Sequence, residues 1–376
     1  MKNLLALAGV LVIMAGGVSM QHLRLTEAPK ESEFPEICWN GERVAVAWMD
    51  GRDGNQEIYL NTADMDTKSK GEETRLTESA NWDDRPNLTW TGKEFGLTYI
   101  HERKTKFDLI FHTLDKEGKP SRGPVKIVKN GWLGKDTDIA WTGAGYGIIY
   151  SKFQGSTETS QIVFQYVDRK GRKQGDPVTL TSNSNLKVPA DILRAGTDFV
   201  VVYLDETEKN VYFMKIDPFG NPKGEKVQLN LPDTDCKMPS AATKEEKTLV
   251  SWPQQTAKGQ QVMVSLVLPT GKRTKPPEPV TEPGAERPSV EVAEGKGGFG
   301  LTYIENQDKK RTLFFVSLDA KANKTTEPTR LAKPRKIQVL CNKLSMTSTG
   351  DGYVIAWVDK GARMNTEVIL SKAVME

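Results

Sequence analysis

Apolar residues in this chain come in short runs that each end on an aromatic: VAVAW, FGLTY, GIIY, FVVVY, TLVSW, FGLTY again and YVIAW. The closing residues are Trp48, Tyr99, Tyr150, Tyr203, Trp252, Tyr303 and Trp357, spaced by 51, 51, 53, 49, 51 and 54 residues. The match extends upstream: 90–99 reads WTGKEFGLTY and 141–150 reads WTGAGYGIIY. A second series of β-branched and aromatic runs follows each copy, as in EIYLNTAD from Glu57 and DLIFHTLD from Asp108. Several of these end in Asp-x-x-Gly, a turn signal in which glycine supplies positive φ. A third series is the short RLT at 75–77, with KIV, TLT, QLN, PVT and TRL at the same period and one more RLT at 24–26. Runs of this length and composition read as strands, and no segment after residue 20 sustains a 3.6-residue period.

Four strands per unit at a period near 51 residues predict a blade of a β-propeller. The expectation is an all-β, seven-bladed β-propeller over residues 20–376, built from four-stranded antiparallel blades and closed by an N-terminal outer strand. Strand a of a blade runs away from the loop that follows strand d of the blade before it, and strand b returns. The d–a and b–c loops therefore share one face of the disc, where binding residues concentrate.

Composition narrows the functional classes. A formal net charge of +3 from 52 basic and 49 acidic residues, with no basic block, recommends neither nucleic acid nor an anionic membrane as partner. Residues 1–19 carry Lys2, an apolar run from Leu4 to Ala15 and then Gly16, Gly17 and Ser19, the layout of a signal peptide. The mature chain is expected to be exported, periplasmic or extracellular, monomeric and without a membrane-spanning segment. Cys38, Cys236 and Cys341 form no disulfide framework and read as unpaired small core residues.

The first blade, PEICWNGERVAVAWMDGRDGNQEIYLN followed by RLTESANWDDRP, resembles secreted bacterial propeller repeats. These include the sialidase-like family and the propeller domain of the periplasmic Tol-system protein. The resemblance implies a fold and an exported location. It carries over no catalytic residue: the S-x-D-x-G-x-x-W box and a spaced arginine triad are absent, and Trp-x-Gly stands where Tol-type repeats have Ser-Pro-Asp-Gly.

Six of the eight tryptophans (Trp39, Trp48, Trp90, Trp141, Trp252 and Trp357) occupy repeat positions and are expected in the core. Trp82 and Trp132 do not. They fall in adjacent d–a loops beside Asp83, Asp84, Arg85 and Asp136, with His101 and Arg103 on the b–c loop between them. An aromatic face beside carboxylates and a guanidinium suits a sugar ring or a peptide; local packing of the two indoles is the competing reading. The stretch Asp50-Gly-Arg-Asp-Gly-Asn looks like a cation loop, but Arg52 occupies a ligand position and Asp50 recurs as Asp205 and Asp359, so a turn is expected. No metal spacing, nucleophile elbow or phosphate loop occurs, so neither a metal nor another cofactor is expected. The reading is a non-enzymatic module recognising a protein or glycan ligand. The alternatives are a glycan hydrolase or lyase with its site over the channel and a structural envelope component. Two carboxylates facing each other across a central pocket, with Arg or His in reach, would favour the hydrolase.

Overall fold

The structure is a computed structural model that describes residues 18–66, 69–332, 335–336, 341, 343–360 and 365–375. The leader expected over 1–19 lies outside these residues except for Val18 and Ser19, and among them no helix is long and apolar enough to cross a membrane.

Seven antiparallel sheets form seven blades. In blade two the order from the axis outward is Asp83–Trp90, Phe95–Arg103, Lys106–Leu114 and Pro120–Gly131, here strands a to d. Each innermost strand packs on the next, and that of blade seven, Ser345–Ser348, packs back on that of blade one, Ser32–Trp39. The outer strand of blade seven is Val18–Arg24, paired with Thr366–Met375 in the register Leu23↔Leu370. The expected N-terminal closure is thus observed, and it removes an open sheet edge. Blades one and six add a short fifth strand, Ser69–Lys70 and Arg335–Lys336.

The second strand of a blade is covered on both faces by neighbouring blades, which is why its sequence is a continuous apolar run and not an alternation. Val44–Asp50 is buried at every position. The aromatics that punctuate the sequence interlock between blades: Tyr146 of blade three lies 4.8 Å from Phe111 of blade two. A Cβ on Gly96 would stand 2.5 Å from the Tyr146 ring, and one on Gly147 2.5 Å from Phe199. The glycine of FGLTY therefore makes room for the next blade's aromatic.

The RLT signature has a local cause. Its leucine, buried at 25 and 180 and half-buried at 76, donates its N–H to strand c, as Leu25 does to the Val368 carbonyl and Leu180 to that of Ile162. The following threonine accepts a strand-c N–H: Thr77 from Ile58, Thr181 from Ile162, Thr281 from Val262 and Thr26 from Val368. One expectation is corrected. Trp48, Trp252 and Trp357 are buried, but Trp39, Trp90 and Trp141 are half-buried, because strand a ends at the a–b face, where Trp90 and Trp141 line an open groove. The three cysteines are unpaired, and burial pushes the Cys38 thiol up to about 12 and that of Cys236 to about 11.

Candidate functional site

Strand a does not enter the disc smoothly. Its register against strand b slips between Glu33 and Glu36, Asp84 and Asn87, Leu133 and Thr137, Pro189 and Asp191, and Glu286 and Ser289. Such bulges re-aim a side chain. Phe34 and Arg85 sit in them with φ of 52° and 50°, a region bulky residues rarely adopt and one associated with functional strain.

The equivalent position lies fourteen residues before every repeat aromatic, at Phe34, Arg85, Asp136, Pro189, Met238, Ser289 and Lys343. All seven line one cavity of about 270 Å³ at the axis, on the face of the d–a loops. Neighbours in this upper ring touch: the Arg85 guanidinium lies 4.7 Å over the Phe34 ring and pairs with Asp136.

Two residues further along, the chain places Glu36, Asn87, Asp138, Asp191, Ser240, Glu291 and Ser345 in a lower ring. Four of these side chains accept a backbone N–H from the next blade. The Ile37 N–H donates to Ser345 Oγ at 3.1 Å, Ile192 to Asp138 at 2.8 Å, Ala241 to Asp191 at 2.8 Å and Val292 to Ser240 at 3.1 Å. Below them a second cavity of about 380 Å³ opens toward the a–b face, and Asp191 and Glu291 border both cavities, so the axis is a channel.

Four carboxylates face one lysine in this channel. Desolvation pushes Asp191 up to about 7, and it raises Asp138 and Glu291 well above their usual ranges, with neighbouring carboxylates adding to it. Lys343 lies 3.3 Å from Glu36 and keeps 41% of its side-chain surface because it faces the open channel. Its desolvation is outweighed by Glu36, Glu291, Asp191 and Asp138, which hold its ammonium well above the usual lysine range.

The eight residues singled out in the sequence separate into distinct places. Arg85 and Asp136 belong to the channel mouth. Asp84 is buried beside it and takes Lys135, whose ammonium also reaches Glu102 at 2.6 Å. Asp83, His101 and Arg103 turn away into a cavity of about 360 Å³ between blades one and two. There His101 Nδ1 and Asp83 Oδ1 are 2.7 Å apart, and burial lifts the Asp83 carboxyl to about 6 against the pull of His101. This pair is blade two's member of a recurring a–b tie: Ser32 meets Asp50 in blade one and Arg287 meets Glu305 in blade six. Trp82 is 49% exposed on the rim, whereas Trp132 is half-buried, 5.8 Å from Phe153 and with Lys106 over its ring. Asp50 accepts from Ser32, Trp48 and Arg52, which accounts for it as a hydrogen-bonded turn.

Sequence reasoning missed Phe34, Pro189, Met238, Ser289 and Lys343, and the carboxylates at 36, 138, 191 and 291. The signal was present as a fixed offset from each repeat aromatic. Loop composition hides it, because the residue types at this offset differ in every blade.

No family model and no curated protein matches the chain. Solved structures do. A prolyl endopeptidase is 14% identical, with a TM-score of 0.57 over 91% of this chain and 46% of that one. This chain thus spans about half of that peptidase's length. The β-propeller domain of the Trilobed protease from Pyrococcus furiosus, whose topology is described as an open velcro, is 9% identical, with a TM-score of 0.51 over 93% and 97% of the two chains. The NanB sialidase from Streptococcus pneumoniae is 9% identical, with a TM-score of 0.47 over 97% of this chain and 70% of that one. For the prolyl endopeptidase and the Trilobed protease domain, at these identities, the likeness is one of propeller architecture.

Proposed function

We propose that this is an exported binding module that takes a protein or glycan ligand at the channel mouth. One observation carries the reading: seven structurally equivalent positions present seven different side chains to a single cavity. The scaffold positions of the same repeats stay apolar or hydrogen-bonding in kind, so the mouth is where the blades are individually specialised. Its chemistry is that of a recognition pocket, with apolar walls from Phe34 and Met238 and a few fixed polar groups, Arg85, Asp136, Ser289 and Lys343. Its volume suits one side chain or one sugar unit of a larger ligand.

The test is a glycan array and a displayed peptide library probed with the chain from residue 18 onward. A ligand class whose binding is lost in Arg85→Asn, at unchanged melting temperature, supports the reading. Binding indifferent to the upper ring refutes it.

A second reading has its own observation. Asp191 and Glu291 both border the channel cavities with raised pKa values, and Arg85 lines the mouth. Perturbed carboxylates in a cleft are candidate acid–base groups. Against this, Asp191 accepts a backbone N–H that Ser240 and Ser345 accept equally well in other blades, which explains it as a tie. Turnover of aryl glycosides that disappears in Asp191→Asn would establish the hydrolase.

A further inference from the structure

The cavity between blades one and two is independent of the channel, and a position-by-position comparison of the two blades shows how it arises. In blade one the corresponding side chains engage one another. Arg52 stacks 4.5 Å over the Tyr59 ring and pairs with Asp50 and Glu73, while Arg75 pairs with Asp53 and Glu57. Two cations there meet four carboxylates.

Fifty-one residues later the same positions carry Arg103 and Lys126 as the cations and Ile110 in place of Tyr59. The four acids become His101, Lys104, Asp108 and Pro124. Asp108 is fully buried and takes both cations, Arg103 Nε at 3.2 Å and Lys126 Nζ at 2.7 Å, together with the Asn130 N–H at 2.7 Å. Among the described residues it is the one carboxylate holding either of them. Both side chains remain open at the cavity, 43% and 40% exposed. Of the acids that line the cavity, Asp83 is engaged by His101 and Glu78 is exposed to solvent.

The floor adds a second observation. His112 takes the place of Asn61, is 6% exposed and lines this cavity, and its Nδ1 is buried with no hydrogen-bond partner. A buried polar atom without a partner is costly and uncommon, and a ligand atom would satisfy it. Burial holds the imidazole below its usual pKa, so it offers one donor and one acceptor.

We propose that this cleft binds a carboxylate-terminated ligand, with the carboxylate on Arg103 and Lys126, a polar group on His112 and an apolar group against Leu76 and Ile110. A guanidinium matches a carboxylate with two parallel N–H donors, which a lone Asp108 contact at Nε does not exhaust. The volume of about 360 Å³ is in the range of small-molecule sites. The same chemistry is offered by a free N-acylated amino acid and by the C-terminal residue of a peptide.

The experiment titrates the chain from residue 18 onward with four probes: N-acetyl-leucine, its amide, and a hexapeptide ending in leucine with a free or an amidated terminus. Saturable binding of either acid supports the site if it weakens about tenfold or more in the matching amide and in Arg103→Gln, the effect of losing a charge-assisted hydrogen bond. Whether one acid or both bind identifies the source. Because Arg103 is exposed, that variant is expected to keep the wild-type melting temperature, and His112→Phe, which removes the floor donor and acceptor, weakens the same acids. No saturable binding of either acid, equal binding of acid and amide, or binding unchanged in Arg103→Gln overturns the proposal.

Discussion

The two rings at the axis lie two residues apart on the same strands and are built by different rules. The lower ring repeats one kind of chemistry: Ser240, Ser345, Asp138 and Asp191 each accept a backbone N–H from the next blade. The upper ring repeats nothing except its place, with Phe, Arg, Asp, Pro, Met, Ser and Lys at successive blades. A position that four blades fill with an acceptor for the next blade's backbone is structural. A position that every blade fills differently is free to be shaped by a ligand. The contrast also explains why carboxylates in the lower ring do not by themselves make a catalytic centre: serine performs the same tie without a charge.

The largest effect that would separate the rings is removal of the cation that serves both. Lys343→Met leaves the four channel carboxylates without their partner. At pH 8 it is expected to cost about 2 kcal/mol, a buried-pair loss reduced for the open channel. Denaturant titration should show a smaller loss at lower pH, where Asp138, Asp191 and Glu291, all raised, are neutral. Next is a tie in the lower ring: Ser345→Ala orphans the Ile37 N–H and should cost about 1 kcal/mol by the same method. If this substitution is silent, the lower ring is not a set of ties.

The pH dependence follows from the carboxylates. Folding raises Asp191 from 3.8 to about 7, so between these values the native chain holds a proton the unfolded chain releases. Stability contributed by that proton is present below the lower value and is lost as pH rises through the upper one. Asp138 and Glu291, also raised by burial, add to the loss in the same direction. Asp191→Asn should leave stability unchanged near pH 4 and raise it at pH 8 by on the order of 1 kcal/mol, discounted for the open channel. Thermal melts across pH 4 to 8 decide this, and a steeper wild-type dependence that survives in Asp191→Asn would contradict it. The smallest stability effect is expected in the upper ring. Arg85→Asn places a residue tolerant of the left-handed region at φ 50° and should change stability by less than about 1 kcal/mol.

Much of the scaffold was legible because packing between blades imposes its identity at every copy. The aromatic at the end of strand b, the glycine that admits Tyr146 at Gly96, and the leucine and threonine of RLT each answer a contact that recurs in successive blades. The 2.7 Å contact of Asp83 and His101 follows from strand pairing at that register. What was not legible was direction. A bulge of one residue decides that Arg85 points to the axis while Asp83 points into the cleft against blade one, and nothing in ESANWDDR announces the slip. The half-buried tryptophans at 39, 90 and 141 were misassigned for a related reason, since their repeat fixes their place on the strand and not the depth of its end.

The most direct test is to select a ligand for the wild-type chain from a glycan array and a displayed peptide library, then measure its affinity for a Phe34→Asn, Arg85→Asn double variant and for Ser345→Ala. The upper-ring variant is predicted to lose about tenfold or more in affinity while melting within about 2 °C of wild type, and Ser345→Ala to melt lower while binding normally. Affinity unchanged in the double variant, or lost only in proportion to stability, would contradict the assignment of the channel mouth as the binding site.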